Sequence, residues 1–203
     1  MFYYLEGTVA IIGQNLAVID VGGAGYACMV TENTLSRLES GKKARIYTYC
    51  YIKEDAFDIY GFHDLSEKRC FELLLSVSGV GPKAALSILS SSTPESLALA
   101  IIGDDETALT LAPGIGKKIA QRIILELKDK VSKESAVMAK ASGFVPPRDI
   151  GQAGAGSKQR DAAAALAVLG YSQGEISAAM RGVDIEAFSI EEIVREVLKN
   201  SMK

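Results

Sequence analysis

Gly79-Val80-Gly81-Pro82-Lys83 returns 35 residues later as Gly114-Ile115-Gly116-Lys117-Lys118. Each copy follows an apolar stretch and opens another, Ala84 to Leu89 after the first and Ile119 to Leu127 after the second. The match runs past the glycines: Lys83 aligns with Lys118, Ile88 with Ile123, and Leu89 with Ile124. One G-x-G before a helix is usually only a turn between helices. Two copies in register, each with a lysine at the helix start, point to a shared ligand.

A phosphate oxygen suits that pattern. Two glycines around one apolar residue let the backbone turn tightly and bring its N–H groups close to an anion. The helix that begins at once presents unpaired N–H groups and a positive dipole end to the same point. Pro82 stands where a first-turn proline is harmless. Lys118 and Arg122 are four apart, so they share a helix face and can hold neighbouring phosphates. Val80 and Ile115 are expected to plug each turn into its own core. Ser87 occupies the position of Arg122 in the first copy, which predicts a stronger cation site in the second. This is the pattern of a helix-hairpin-helix pair, which grips a nucleic-acid backbone without reading bases.

Composition bounds the rest. The chain has 203 residues, 48% of them hydrophobic, enough for one large domain or two to three small ones. It contains no apolar run long enough to span a membrane, and Glu6 interrupts the N-terminus early, unlike a signal peptide. Cys28, Cys50 and Cys70 are scattered, without a C-x-x-C, and read as small buried hydrophobes in a reducing compartment, the cytoplasm by default. His63 is the only histidine, which argues against a zinc site, and no cofactor is expected. The net charge is −3. Residues 1–63 carry 5 basic and 7 acidic side chains, and residues 64–131 carry 8 and 9, so neither segment is a polycation. Binding then depends on cations and N–H groups sharing one face, which favours a shape-restricted binder.

Four segments are expected. Residues 1–63 read as five strands, Tyr3 to Ile11, Leu16 to Val21, Tyr26 to Val30, Arg45 to Ile52 and Phe57 to Phe62, with a helical turn near Leu35. They suit a barrel of the oligonucleotide-binding type. Gly22-Gly23-Ala24-Gly25 reads as a hairpin loop, since no helix follows it. Residues 64–131 read as the helical domain carrying both hairpins. Asp64 with Glu67 resembles a capping box, Thr93-Pro94 reads as a cap plus first-turn proline, and Asp104 is expected to cap a short helix before the second hairpin. Residues 132–157, rich in glycine and proline, read as a linker. Residues 158–203 read as a three-helix unit, with Ser172/Glu175 and Ser189/Glu192 as capping boxes and stops at Gly170 and Gly182. Its core is assigned to Leu166, Leu169, Ile176, Met180, Ile193 and Val197, near the lower limit for an independent fold. The fold class is α+β and multidomain.

These parts in this order resemble the RuvA subunits of the bacterial RuvAB branch-migration complex, over essentially the whole chain. The resemblance rests on the opening Met1-Phe2-Tyr3-Tyr4-Leu5-Glu6-Gly7, on Lys53-Glu54-Asp55-Ala56 with Tyr60-Gly61-Phe62, on both hairpins, and on Leu166 to Tyr171, ending Leu-Gly-Tyr. It implies a non-catalytic homotetramer that holds four-way junction DNA open and flat. It also implies a C-terminal domain that recruits the hexameric RuvB ATPase, and the RuvC resolvase as a further partner. By position the phosphate contacts would be Gly79, Gly81, Lys83, Gly114, Gly116, Lys117, Lys118 and Arg122. Glu54 and Asp55 would be an acidic pin at the junction centre, where carboxylates repel phosphates and keep strands apart. Without the resemblance, the pair reads as a solvated turn.

Two other classes remain open on the residues. Helix-hairpin-helix pairs also occur in DNA repair enzymes, for which Asp104-Asp105-Glu106 is the only acidic cluster in the helical domain. That cluster reads as helix capping. Tyr47, Tyr49 and Tyr51 alternate onto one strand face and could stack bases of a single strand, although such tyrosines are more often core or interface.

Overall fold

The computed structural model describes residues 1–142 and 155–201. Five strands close a barrel in the order β1-β2-β3-β5-β4: β1 Tyr4–Gly13, β2 Leu16–Val21, β3 Ala24–Val30, β4 Lys43–Ile52 and β5 Phe57–Phe62. Neighbours are antiparallel except β3 and β5, whose parallel register sets Met29 beside Tyr60 and Val30 beside Gly61. β1 serves two partners, pairing β4 through Tyr4–Thr8 and β2 through Thr8–Gly13, with a bulge between Val9 and Ile11. Gly7 lies so close to the Asp20 carbonyl that a Cβ would collide with it. Alternating inward residues fill the barrel, among them Leu5, Val9, Ile19, Val30 and Ile46. The loop read as Gly22 to Gly25 closes in two residues, and Ala24 and Gly25 already belong to β3.

A four-residue helix, α1 Glu32–Leu35, sits between β3 and β4 and is capped by Thr31. The helical domain follows: α2 Leu65–Leu75, α3 Pro82–Ser91, α4 Pro94–Ile102, α5 Glu106–Thr110 and α6 Lys117–Ser142. Asp64 caps α2 and Thr93 caps α4, as their sequence patterns predict. Asp104 does not cap α5. Asp105 does, accepting from the Ala108 N–H at 3.0 Å, while Asp104 takes a left-handed φ of 56° and pairs with Lys128 at 2.6 Å. Asp tolerates that conformation better than most residues. The cap is therefore one residue later than expected. α6 continues through Ser142 into the stretch read as linker, and residues 143–154 of that stretch lie outside the described residues.

Three further helices follow among the described residues: α7 Ala155–Val168, α8 Gln173–Ala179 and α9 Ile190–Ser201. Both capping boxes form. Ser172 and Glu175 satisfy each other's backbone N–H groups, and Ser189 and Glu192 do the same at 2.8 and 3.3 Å. Gly170 and Gly182 end helices at positive φ of 80° and 88°. Every residue assigned to this unit's core is buried. The core is not self-contained, however. Leu166, Leu169, Val194 and Leu198 belong to one continuous cluster with Leu97 and Ile101 of α4. The Arg69 guanidinium of α2 lies 4.5 Å over the Tyr171 ring and pairs with Glu175 at 3.5 Å. Among the described residues no single helix is long and apolar enough to cross a membrane.

Candidate nucleic-acid interface

The two hairpins repeat in geometry as well as in sequence. The Val80 N–H donates to the Val77 carbonyl at 3.1 Å, and the Ile115 N–H donates to that of Ala112 at 3.0 Å. The first full helical turn closes at the same place, Ala85 N–H to the Gly81 carbonyl and Ala120 N–H to that of Gly116, both at 3.0 Å. Gly79 and Gly114 adopt φ of 86° and 84°, which explains why glycine occupies both. Val80 and Ile115 are buried and plug their turns into the core, as expected. Gly81 differs: its φ is −92° and a Cβ would meet nothing within 4 Å. Gly116 likewise faces open space.

The helix starts match this arrangement. α2, α4, α5 and α8 each carry a side-chain cap and an acid in the first turn. α3 has no side-chain cap, and neither α3 nor α6 has an acid in its first turn. Their unpaired N–H groups and positive dipole ends thus have no compensating acid in their own first turn. Lys83 and Lys118 are exposed beside them. Among the described residues neither has an ion-pair partner. Lys117 is also exposed but lies 3.8 Å from Glu106.

Position 87/122 carries a role that the sequence pattern did not disclose. Arg122 Nη1 donates to the Ser78 carbonyl at 3.2 Å, in the opposite hairpin. Ser87 Oγ donates to the Pro113 carbonyl at 2.8 Å, again in the opposite hairpin. Ser78 and Pro113 are themselves equivalent, so the two bonds are reciprocal. Ser78 has an N–H as well, and Glu126 accepts it at 3.2 Å. Pro113 has none, and the equivalent of Glu126 in the first copy is Ser91. Ser87 is therefore a hairpin-to-hairpin strut and not merely a missing cation.

The remaining singled-out residues fall into place. Glu54 and Asp55 are exposed in the turn between β4 and β5, closed by Lys53 N–H to the Ala56 carbonyl at 2.8 Å. Ile52 and Phe57 flank them, both largely exposed. The acidic cluster before α6 has structural partners throughout: Asp104 pairs Lys128, Asp105 caps α5, and Glu106 accepts from Gln121 at 2.9 Å. The three tyrosines are not a common open platform. Tyr49 packs edge-on against Phe71 of α2 at 5.4 Å, joining barrel to helices. Cys28, Cys50 and Cys70 are free and buried, and burial pushes the Cys28 thiol up to about 12.

The sequence pattern marks Glu67 only as the far end of a capping box. Asp64 does accept the Glu67 N–H at 2.8 Å, but the Glu67 carboxylate turns away to Thr31 and Thr34 of the barrel. Burial pushes that carboxyl above its ordinary value, and the two hydroxyls oppose the push.

A five-stranded barrel joined to twinned, solvent-facing hairpins defines a modular protein of the tandem helix-hairpin-helix class. Family models agree segment by segment: RuvA N terminal domain over residues 1–61, SAM-like Helix-hairpin-helix tandem over 71–129, and RuvA, C-terminal domain over 157–202. A protein of Acetivibrio thermocellus is 43% identical over 98% of both chains. One of Caldanaerobacter subterraneus subsp. tengcongensis is 44% identical over the full length of both. Each is described as Holliday junction branch migration complex subunit RuvA. The chain belongs to the RuvA family.

Proposed function

We propose that this chain is a non-catalytic scaffold that binds Holliday junctions for branch migration. The observation that carries the reading is the pair of geometrically equivalent hairpins, each ending in a helix start with no acid in its first turn and a lysine beside it. Backbone N–H groups of Gly79, Gly81, Gly114 and Gly116, with Lys83, Lys117, Lys118 and Arg122, would hold phosphates of one duplex arm. Such contacts position DNA without reading its sequence. Glu54 and Asp55, at the tip of the β4–β5 turn, would face the crossover and repel a duplex running straight across it.

Junction geometry calls for several copies, and the reading adopts a homotetramer. Ile11, Ile52 and Phe57 on the barrel are each more than half exposed, which suits packing between copies. The motor is assigned to a hexameric RuvB ATPase recruited by residues 158–203, and RuvC is a further partner. Buried free thiols suit a reducing compartment, and the cytoplasm is the proposed location.

A gel shift comparing a four-way junction with linear duplex at matched salt tests the reading, with light scattering for stoichiometry. A marked junction preference and four copies per assembly are expected; equal affinities would overturn the scaffold. Incubation with labelled DNA and magnesium separates scaffold from enzyme, because strand cleavage by the purified chain would support catalysis. Truncation at Ser157 should abolish stimulation of the ATPase; because it also uncovers Leu97 and Ile101 of α4, circular dichroism of the truncated chain accompanies the comparison of junction binding.

A further inference from the structure

α1 is the smallest helix among the described residues, yet it grips the helical domain at two places. On one side, Thr31 and Thr34 hold Glu67 of α2. All three side chains are buried, Thr31 and Thr34 fully and Glu67 to within 2%. Thr31 Oγ accepts the Thr34 N–H at 3.0 Å, so its own hydrogen goes to Glu67 Oε1. Thr34 Oγ accepts the His63 N–H at 2.9 Å, so its hydrogen goes to Glu67 Oε2, 2.6 Å away. Both carboxylate oxygens act as acceptors, Oε2 also taking the His63 N–H at 3.4 Å, and an amide in this place would supply only one acceptor oxygen for the two hydroxyls. On the other side, Asn33 Nδ2 donates to the Leu89 carbonyl at 2.8 Å and to that of Ser92 at 3.4 Å. Leu89 lies in the last turn of α3, where helix carbonyls lack partners of their own.

α3 is a rigid rod of about 15 Å, and its opposite end is the first hairpin. The barrel carries Glu54 and Asp55. The covalent link between the two bodies is only the short His63-Asp64 step between β5 and α2. Apolar packing of Tyr49, Tyr60 and Phe62 on Phe71 holds the bodies together but is not directional. The hydrogen bonds of α1 are directional.

We propose that Glu67, clamped by Thr31 and Thr34, is a positioning residue for junction recognition: it fixes the angle between the hairpins and the acidic turn. This rests on the junction-binding reading above. A duplex needs only the hairpins, whereas a junction needs hairpins and acidic turn engaged together. A preorganised pose therefore strengthens junction binding specifically, by removing an ordering cost.

The test uses the full chain with Thr34→Val, which keeps shape and loses the hydroxyl, and Thr34→Ser, which restores it. Asn33→Ala loosens the same clamp from its less buried side, should the valine variant fail to fold. The expected result is a fall of about tenfold in the junction-to-duplex affinity ratio for Thr34→Val and Asn33→Ala. Duplex affinity should hold, and Thr34→Ser should resemble the parent. A proportional loss of both affinities, or an unchanged ratio, overturns the proposal. Spin labels at Lys42→Cys on the barrel and Thr107→Cys on α5 read the pose without DNA, since the native cysteines are buried. Their distance distribution should broaden in Thr34→Val. An unbroadened distribution overturns the clamp, and a parent protein with no junction preference overturns the functional reading instead.

Discussion

Ser87 Oγ reaches across the helical domain to the Pro113 carbonyl at 2.8 Å, and Arg122 returns the contact to Ser78 at 3.2 Å. Two residues at equivalent positions thus brace each other's hairpin. One does so with a neutral hydroxyl and the other with a cation, so bracing and charge can be separated.

Ser87→Ala removes a brace and no charge. A lost hydrogen bond of about 1 kcal/mol corresponds to roughly fivefold. Affinity for junction and duplex should fall together by about that factor, with the slope of log affinity against log salt unchanged. Titrations at several salt concentrations would settle it, and a changed slope would show that Ser87 acts through phosphate contacts.

Lys83→Ala and Lys118→Ala should behave in the opposite way. Each removes an exposed ammonium beside a hairpin helix, so each should flatten the log–log salt slope by about 0.9. The loss should be equal for junctions of every base sequence. Lys117 is engaged with Glu106, so Lys117→Ala should flatten the slope less. A loss confined to particular sequences would mean base reading and refute backbone recognition.

Much of this was legible in the sequence because the signals are local. The strands β2 and β5 fall where their β-branched and aromatic runs place them, and the repeated glycines announce turns whose φ values require them. The missed features are non-local. Glu67 satisfies the local D-x-x-E pattern, and nothing nearby in sequence says that its carboxylate goes to Thr31, 36 residues earlier. The strut at Ser87 appears only when the two copies face each other. The shared core of α4 and α7 left one trace: Leu97, Ala98, Ala100 and Ile101 are apolar around most of a short helix, more than one neighbour can cover.

The C-terminal helices should be acid-sensitive. Glu175 and Glu192 lie below the ordinary carboxylate value of 4.5, chiefly because the Ser172 and Ser189 backbone N–H groups donate to them. A depressed carboxyl contributes stability that is present above 4.5 and lost as pH falls through its folded value. Hydrogen exchange in α8 and α9 should therefore rise, relative to the barrel, once pH drops below that range. Glu175→Gln with Glu192→Gln keeps an acceptor at each cap and should flatten the dependence. An unchanged pH profile in the double variant would show that other groups govern these helices.

The acidic turn is expected to control selectivity and not affinity. Glu54 and Asp55 are adjacent and exposed in a tight turn, so they project together, and in the proposed tetramer four such turns would meet near one axis. A duplex crossing that axis would bring its phosphates against the carboxylates. An opened junction avoids them by placing its arms on the hairpins. Glu54→Gln with Asp55→Asn should therefore strengthen binding to plain duplex while junction binding changes little, and the ratio of the two should fall. Exposed charges are screened by salt, so the effect should shrink as ionic strength rises. Paired gel shifts at low and high salt give the ratio directly. If the double variant keeps the parent's ratio at low salt, the pair is only a solvated turn and junction preference resides in the hairpins and their spacing.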